Sequence, residues 1–254
     1  TQVLSKDQVL GGLTLKICNS ALFSGKIKIE TLRDAVLLLG EAILMESVIT
    51  AAVKNYFNQA GNLGYSLCRG GLFFHAVGSA ETAKAIAGIT GKADPHKAYT
   101  AGLLHDIGKV VLDQYIARIC PVFFRGVNHN EKTSLATEQA VLGTTHCKAG
   151  ELLAEKWQFS TPLKQVVRHH HDPETCTAHR ELVSMVYLAN LIMSRFNTGL
   201  VLERVSTSSL DAALESLNLD VSDLPELIDA IPLTIFNAQA KKSEQETTTN
   251  ARHQ

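Results

Sequence analysis

Apolar residues in this chain recur every three or four positions and seldom alternate, a period that belongs to helices and leaves little of the chain to strands. The pattern is sharpest in Leu163-Lys-Gln-Val166-Val167-Arg-His-His170-His171, where positions 163, 166, 167 and 170 share one helical face. The same spacing predicts a helix over residues 8–20, carried by Leu10, Leu13 and Ile17. Thr31-Leu-Arg-Asp34 reads as a capping box opening a long apolar helix through Val36, Leu39 and Ile43, with Gly40 marking a break inside it. A Gly-containing turn at 62–65 leads to a helix over 67–89 rich in small residues (Ala76, Gly78, Ala80, Ala83, Ala87). One helix is expected over 98–119, with Leu104, Ile107, Val111 and Tyr115 on its buried stripe and Pro121 ending it. After a loop at 128–133 come helices at 135–142 (stopped by Gly143), 145–157, one opened by Thr161 as N-cap and Pro162 as N1, and 179–196. Short helices at 209–217 and 224–228 precede a polar tail from Lys241, which is expected to be disordered.

Composition narrows the function classes. The 254 residues suffice for a large helical core, with 45% hydrophobic and 19% charged side chains. Lys and Arg number 24 against 25 Asp and Glu, a near balance that lacks the field needed to hold a phosphate backbone, so nucleic acid is not expected as a partner. The longest apolar runs, such as residues 35–40, are far below the ~20 residues of a membrane span, and the N-terminus has no basic-then-apolar leader. The five cysteines stand singly with no C-x-x-C pair, which suits reduced thiols and a cytoplasmic protein.

The ten histidines carry the chemistry. Gly102-Leu-Leu-His105-Asp106-Ile-Gly108-Lys109 sets an imidazole and a carboxylate side by side within an apolar helix. Consecutive helical residues point about 100° apart, so both can reach one ion over that turn. His170 falls on the apolar stripe and His171 borders it, whereas His169 points elsewhere, toward solvent. His146 opens a helix whose inward stripe continues through Ala149, Leu152, Leu153 and Trp157, and His75 lies among apolar and small residues. A single buried histidine is more often a hydrogen-bonded core residue than a ligand. Four segments that each turn imidazole or carboxylate inward favour ligation. Nitrogen and carboxylate oxygen donors suit Fe, Mn, Zn or Ni, one ion or two. Cys147 and the Cys176-x-x-His179 pair have ligand chemistry but complete no zinc set, and Cys147 reads as a small core residue. Lys109 has two open readings, a partner for an anionic substrate or a solvated side chain. His96, His129 and His253 read as incidental.

In this order, His75, His105-Asp106, His146 and His170-His171 resemble the ligand series of HD-domain phosphohydrolases, and above all the extended series of HD-GYP cyclic-dinucleotide phosphodiesterases. The surrounding sequence resembles the HDOD (HD-related output domain) family of bacterial signalling proteins. The resemblance is carried by Leu15-Lys-Ile-Cys-Asn19-Ser20-Ala21, Ala35-Val-Leu-Leu-Leu39-Gly40, the 102–109 segment, Leu142-Gly-x-x-His146, Trp157 before Pro162, and His170-His171-Asp-Pro173, within residues 8–200. It implies an all-α fold: an HD-like helical bundle over 67–200, an N-terminal helical subdomain over 1–66, a helical extension over 201–240 and a tail over 241–254. It also implies further sequence ahead of Thr1. His75, His105, Asp106, His146, His170, His171 and Asn190 then correspond to the metal set, with Asp106 and Lys109 in the catalytic positions. Three departures stand out. Asn190 replaces the late aspartate, Gly71 stands where HD-GYP proteins carry an extra glutamate, and Asp172-Pro-Glu-Thr replaces the Gly-Tyr-Pro signature. The leading expectation is a cytoplasmic output module that binds a signalling protein, has a metal site and has little or no hydrolase activity. The alternative is a metal-dependent phosphohydrolase or phosphodiesterase acting on nucleotides or cyclic dinucleotides, with a nucleotide or other phosphoester as ligand.

Overall fold

The computed structural model describes residues 32–59, 64–66, 70–129, 133–200 and 203–236. The expected helix at 8–20, the Thr31 cap, residues 62 and 63 of the turn and the tail from Lys241 lie outside them. Among the described residues there is no strand. The α-helices are α1 (Leu32–Gln59), α2 (Gly71–Thr90), α3 (Pro95–Leu104), α4 (Ile107–Arg118), α5 (Cys120–His129), α6 (Ser134–Leu142), α7 (His146–Lys156), α8 (Thr161–His169), α9 (Arg180–Arg195), α10 (Leu210–Ser216) and α11 (Leu224–Asp229). The chain divides into two compact units, residues 1–56 and 57–254. In the first, Gly40 breaks α1 as expected, with φ 79° and ψ 158°, a left-handed conformation that a side chain would resist.

The second unit is built around α9, whose residues 182–194 are all buried. Against it pack Ala83, Ile86 and Ala87 of α2, Ala98 and Ala101 of α3, Val166 of α8, Ala213 and Leu214 of α10 and Leu227 of α11, in one continuous core. The small residues of α2 do what their size permits and let α3 and α9 approach closely.

Several sequence expectations fail here for physical reasons. The predicted helix over 98–119 is two helices, and the His105-Asp106 doublet lies at the break between them, with Asp106 at φ −95° and ψ 16°. Its stripe ends early, since Tyr115 is 49% exposed. Pro121 does not close that helix either; it sits in the first turn of α5, where its missing N–H costs nothing. In α7 the buried face is His146, Cys147, Gly150 and Ala154, while Leu152 and Trp157 are exposed. The small residues decide that face. A side chain at Gly108 would strike the His146 carbonyl and come within 2.6 Å of the Gly150 nitrogen, so α4 and α7 meet backbone to backbone. Helix α8 is displaced by one residue from expectation: Ser160 is its N-cap, with Thr161 and Pro162 in the first turn.

Candidate metal centre

The break at Asp106 turns its carboxylate toward its neighbour His105 and toward residues from three other segments. His75 comes from α2, His105 from the break itself, His146 from the first position of α7, and His170 and His171 from just past the end of α8. Asp106 Oδ2 lies 3.5 Å from His75 Nε2 and 3.3 Å from His105 Nε2. Asp106 Oδ1 lies 3.3 Å from His146 Nε2 and 3.4 Å from His170 Nε2. His146 Nε2 is in turn 3.2 Å from His170 Nε2 and 3.0 Å from His171 Nε2. Asn190, on α9, presents its Oδ1 3.0 Å from His75 Nε2. All seven residues singled out in the sequence as metal-type donors therefore meet at one place. His171 is the most exposed of them at 9%, and the others are at 1% or below.

The outer ring nitrogens fix the direction of the inner ones. His75 Nδ1 faces the Thr198 carbonyl at 3.1 Å, His105 Nδ1 the Gly102 carbonyl at 2.7 Å, and His170 Nδ1 the Val166 and Val167 carbonyls at 3.2 and 3.1 Å. A carbonyl only accepts, so these three Nδ1 atoms donate and their Nε2 lone pairs point inward. His105 Nε2 and Asp106 Oδ1 are buried with no hydrogen-bond partner, a costly state that a cation relieves. At His75 and Asn190 two acceptors face each other. Turning the amide would let Nδ2, which has no partner, donate to His75, and a shared cation would satisfy the pair without that turn. Imidazoles anchored through one nitrogen with the other aimed at a common carboxylate fit a divalent transition metal. The donors fall into two groups, His75 with His105 and Asp106, and His146 with Cys147, His170 and His171; within each, the ligand atoms lie within 4.8 Å of one another. Cys147, read from the sequence as a core residue, is buried but also belongs to this cluster.

A second ring supports the first, and little of it was visible in the sequence. Glu138, fully buried on α6, accepts from the backbone N–H of His146 at 2.7 Å, from His146 Nδ1 at 2.8 Å and from the Tyr65 hydroxyl at 2.8 Å. Tyr65 is held in turn by Asp113 Oδ1, which accepts from the Gly64 and Tyr65 backbone at 3.1 Å each. The signal for Glu138 was the polar inward face of α6, Ser134, Thr137 and Glu138 at i, i+3 and i+4. Glu203 offered none. It lies in an irregular segment, tied to α9 by the Ser194 hydroxyl donating to its carbonyl at 3.0 Å. Lys109 is wholly buried, so its reading as a solvated side chain is excluded. Its ammonium donates to Asp106 Oδ2 at 2.7 Å and pairs with Glu203 Oε2 at 3.0 Å. His169 is only half-buried and bonds the Thr175 hydroxyl at 2.7 Å, away from the centre.

Burial and charge set the protonation pattern. Burial outweighs the pull of Asp106 on His75, whose pKa falls to about 3, and likewise on His170, which falls to about 4. Burial, with His170 and His146 alongside, holds His171 well below the usual histidine range. His146 goes the other way: burial opposes its charge, but the Glu138 carboxylate prevails and raises it. Burial would raise Asp106, yet His105 and Lys109 keep it well below the carboxylate range. Asp106 and Glu203 likewise overcome the burial of Lys109 and raise it. The missing HD-GYP glutamate also has a structural account. A side chain at position 71 would collide with the Ser66 hydroxyl and the Gly199 carbonyl, so no acidic ligand fits there.

The HDOD domain family matches residues 1–173. The chain belongs to the HDOD family. Among solved structures, this HDOD chain is similar to an HDOD domain protein with unknown function from Geobacter sulfurreducens, with 27% identity and a TM-score of 0.72, covering 92% of this chain and 83% of that one. It shares the fold of a candidate signal transduction protein from Marinobacter aquaeolei VT8 (20% identity, TM-score 0.76, 94% of this chain and 53% of that one). It also shares the fold of a candidate metal-dependent phosphohydrolase from Shewanella amazonensis SB2B (18% identity, TM-score 0.58, 92% and 82%). An uncharacterized protein of Treponema pallidum (strain Nichols) is 27% identical over 209 residues, which are 78% of this chain and 38% of that protein's length. No helix among the described residues is long and apolar enough to cross a membrane.

Proposed function

We propose that this HDOD chain is a cytoplasmic signalling output module whose His–Asp centre holds a divalent transition metal as part of its architecture, with little or no hydrolysis, and which passes its state to a partner protein. The observation that carries this reading is Lys109. In the hydrolase reading Lys109 would lie near the phosphate, and Lys109 is wholly buried and committed to Asp106 and Glu203. The centre around it is closed as well, with His171 its most exposed member at 9%. Asn190 adds no negative charge, which weakens the hold on an ion on the His75 side.

When bound, the metal would supply Lewis acidity and an activated water. The chain's own residues account for the rest. The donors available to metal are His75, His105 and Asp106 with Asn190 in one group and His146, His170 and His171 in the other; Glu138 orients His146, and Lys109 with Glu203 balances the Asp106 charge. The second reading, a metal-dependent phosphohydrolase, is favoured by one feature: Asp106 presents each oxygen to a separate donor group, as a shared carboxylate between two ions does. The Marinobacter protein is described as a candidate signal transduction protein and the Shewanella protein as a candidate metal-dependent phosphohydrolase, and at their low identities they speak to the fold alone.

Turnover separates the two. The wild-type chain and Asn190→Asp, each supplied with Mn or Fe under reducing conditions, are expected to leave a panel of cyclic dinucleotides and phosphomonoesters at the rate of a protein-free blank. Asn190→Asp is expected to bind the metal more tightly all the same. Robust wild-type hydrolysis that disappears in His171→Ala would make this chain an enzyme and overturn the proposal.

A further inference from the structure

We infer, building on the metal-centre reading above, that the centre takes a single ion on the His146, His170 and His171 side of Asp106, and that Lys109 fills the charge position of a second. The two oxygens of Asp106 are not equivalent. Oδ2 already accepts from the Lys109 ammonium at 2.7 Å, and Lys109 is held there by Glu203 at 3.0 Å. Oδ1 is buried and has no hydrogen-bond partner. It faces His146 and His170 at 3.3 and 3.4 Å, with His171 Nε2 3.0 Å from that of His146. Three imidazole nitrogens and one carboxylate oxygen make a complete four-coordinate set without help from the other half.

The other half is weaker on every count. Its donors are His75 and His105, an oxygen already shared with an ammonium, and the neutral amide of Asn190. A dication seated on Oδ2 would lie beside the Lys109 charge, and Lys109 has nowhere to retreat because it is wholly buried between two carboxylates. Asn190 and Lys109 thus act in the same direction. One omits a negative charge from that half and the other already occupies the Asp106 oxygen there, so that half offers a metal fewer and weaker anionic donors than the Oδ1 side. Lys109 is in this account a positioning residue, and it selects which oxygen of Asp106 is free to ligate.

Metal stoichiometry tests this without any assay of activity. The purified chain, stripped with chelator and dialysed, is titrated with Mn²⁺ (free ion followed by paramagnetic resonance) and with Zn²⁺ (content after gel filtration). The expected result is one equivalent per chain. His75→Ala keeps that equivalent, whereas His171→Ala lowers the affinity at least tenfold. Circular dichroism confirms folding, and His75→Gln with His171→Gln replaces the alanine pair if either fails. Two equivalents in the wild type, or an ion lost with His75 and kept without His171, overturns the inference while leaving a metal centre in place. No ion taken up at all overturns both.

Discussion

Lys109→Ala is expected to lower the folding stability by about 3–5 kcal/mol, the cost of leaving a buried charge without its partner. The change removes the ammonium that Asp106 and Glu203 share, and both carboxylates are nearly inaccessible, at 1% and 4% exposure. Neither can recover hydration without opening the core, so the loss is dominated by charge and not by packing. Lys109→Met, which keeps most of the side-chain volume, is therefore expected to lose nearly as much, while Lys97→Ala on the exposed side of α3 changes little. Urea unfolding of the three variants decides the matter. A loss below about 1 kcal/mol for Lys109→Met would mean that the buried ion pairs do not hold this centre together.

Mild acid is expected to unfold the protein, with stability falling steeply from about pH 6.5 downward. In the unfolded chain His75, His170 and His171 take up protons near 6.5, but the folded protein resists protonation until about 3 at His75 and about 4 at His170, with His171 also well below its ordinary value. Across that window the unfolded state binds more protons, so each pH unit removes about 1.4 kcal/mol of stability per histidine. At pH 5 His75 and His170 together account for about 4 kcal/mol, and His171 acts in the same direction, a loss that is a large part of the stability of an ordinary domain. His146 does not offset this. Its folded pKa is raised, so its contribution is complete below 6.5 and is lost only as the pH climbs through the raised value. Glu138, held below its ordinary 4.5, is stabilising above that value and loses its contribution only as the pH falls through the lowered one. A bound ion strengthens the trend, because imidazole ligates only when neutral. Urea midpoints at pH 7 and pH 5 that coincide would contradict the buried neutral state of these histidines.

The centre was legible in the sequence wherever a histidine shared a stripe with aliphatic residues. His170 beside Val166 and Val167 is the clearest case, and the stripe that placed it inward is the buried face of α8. The reading failed where small residues set the packing. On α7 the side toward α4 is Gly150 and Ala154, so a hydropathy stripe through Leu152 and Trp157 pointed to solvent. The break at Asp106 carries neither Pro nor Gly at the bend, and so left no local mark even though it aims the carboxylate. Long-range partners were invisible for a different reason. Tyr65 meets Glu138 across 73 positions, and Glu203 reaches Lys109 from an irregular segment, pairings that come from the assembled helices and not from any local period.

The central claim is that the converging imidazoles and Asp106 form a metal centre, and elemental analysis of the chain purified without chelator tests it most directly. The account predicts Fe, Mn, Zn or Ni bound to the wild type and lost from Asp106→Ala. Wild-type protein that carries no metal, and whose thermal unfolding is unmoved by added Mn, Fe, Zn or Ni, would contradict it and leave the histidines as hydrogen-bonded residues of a helical core.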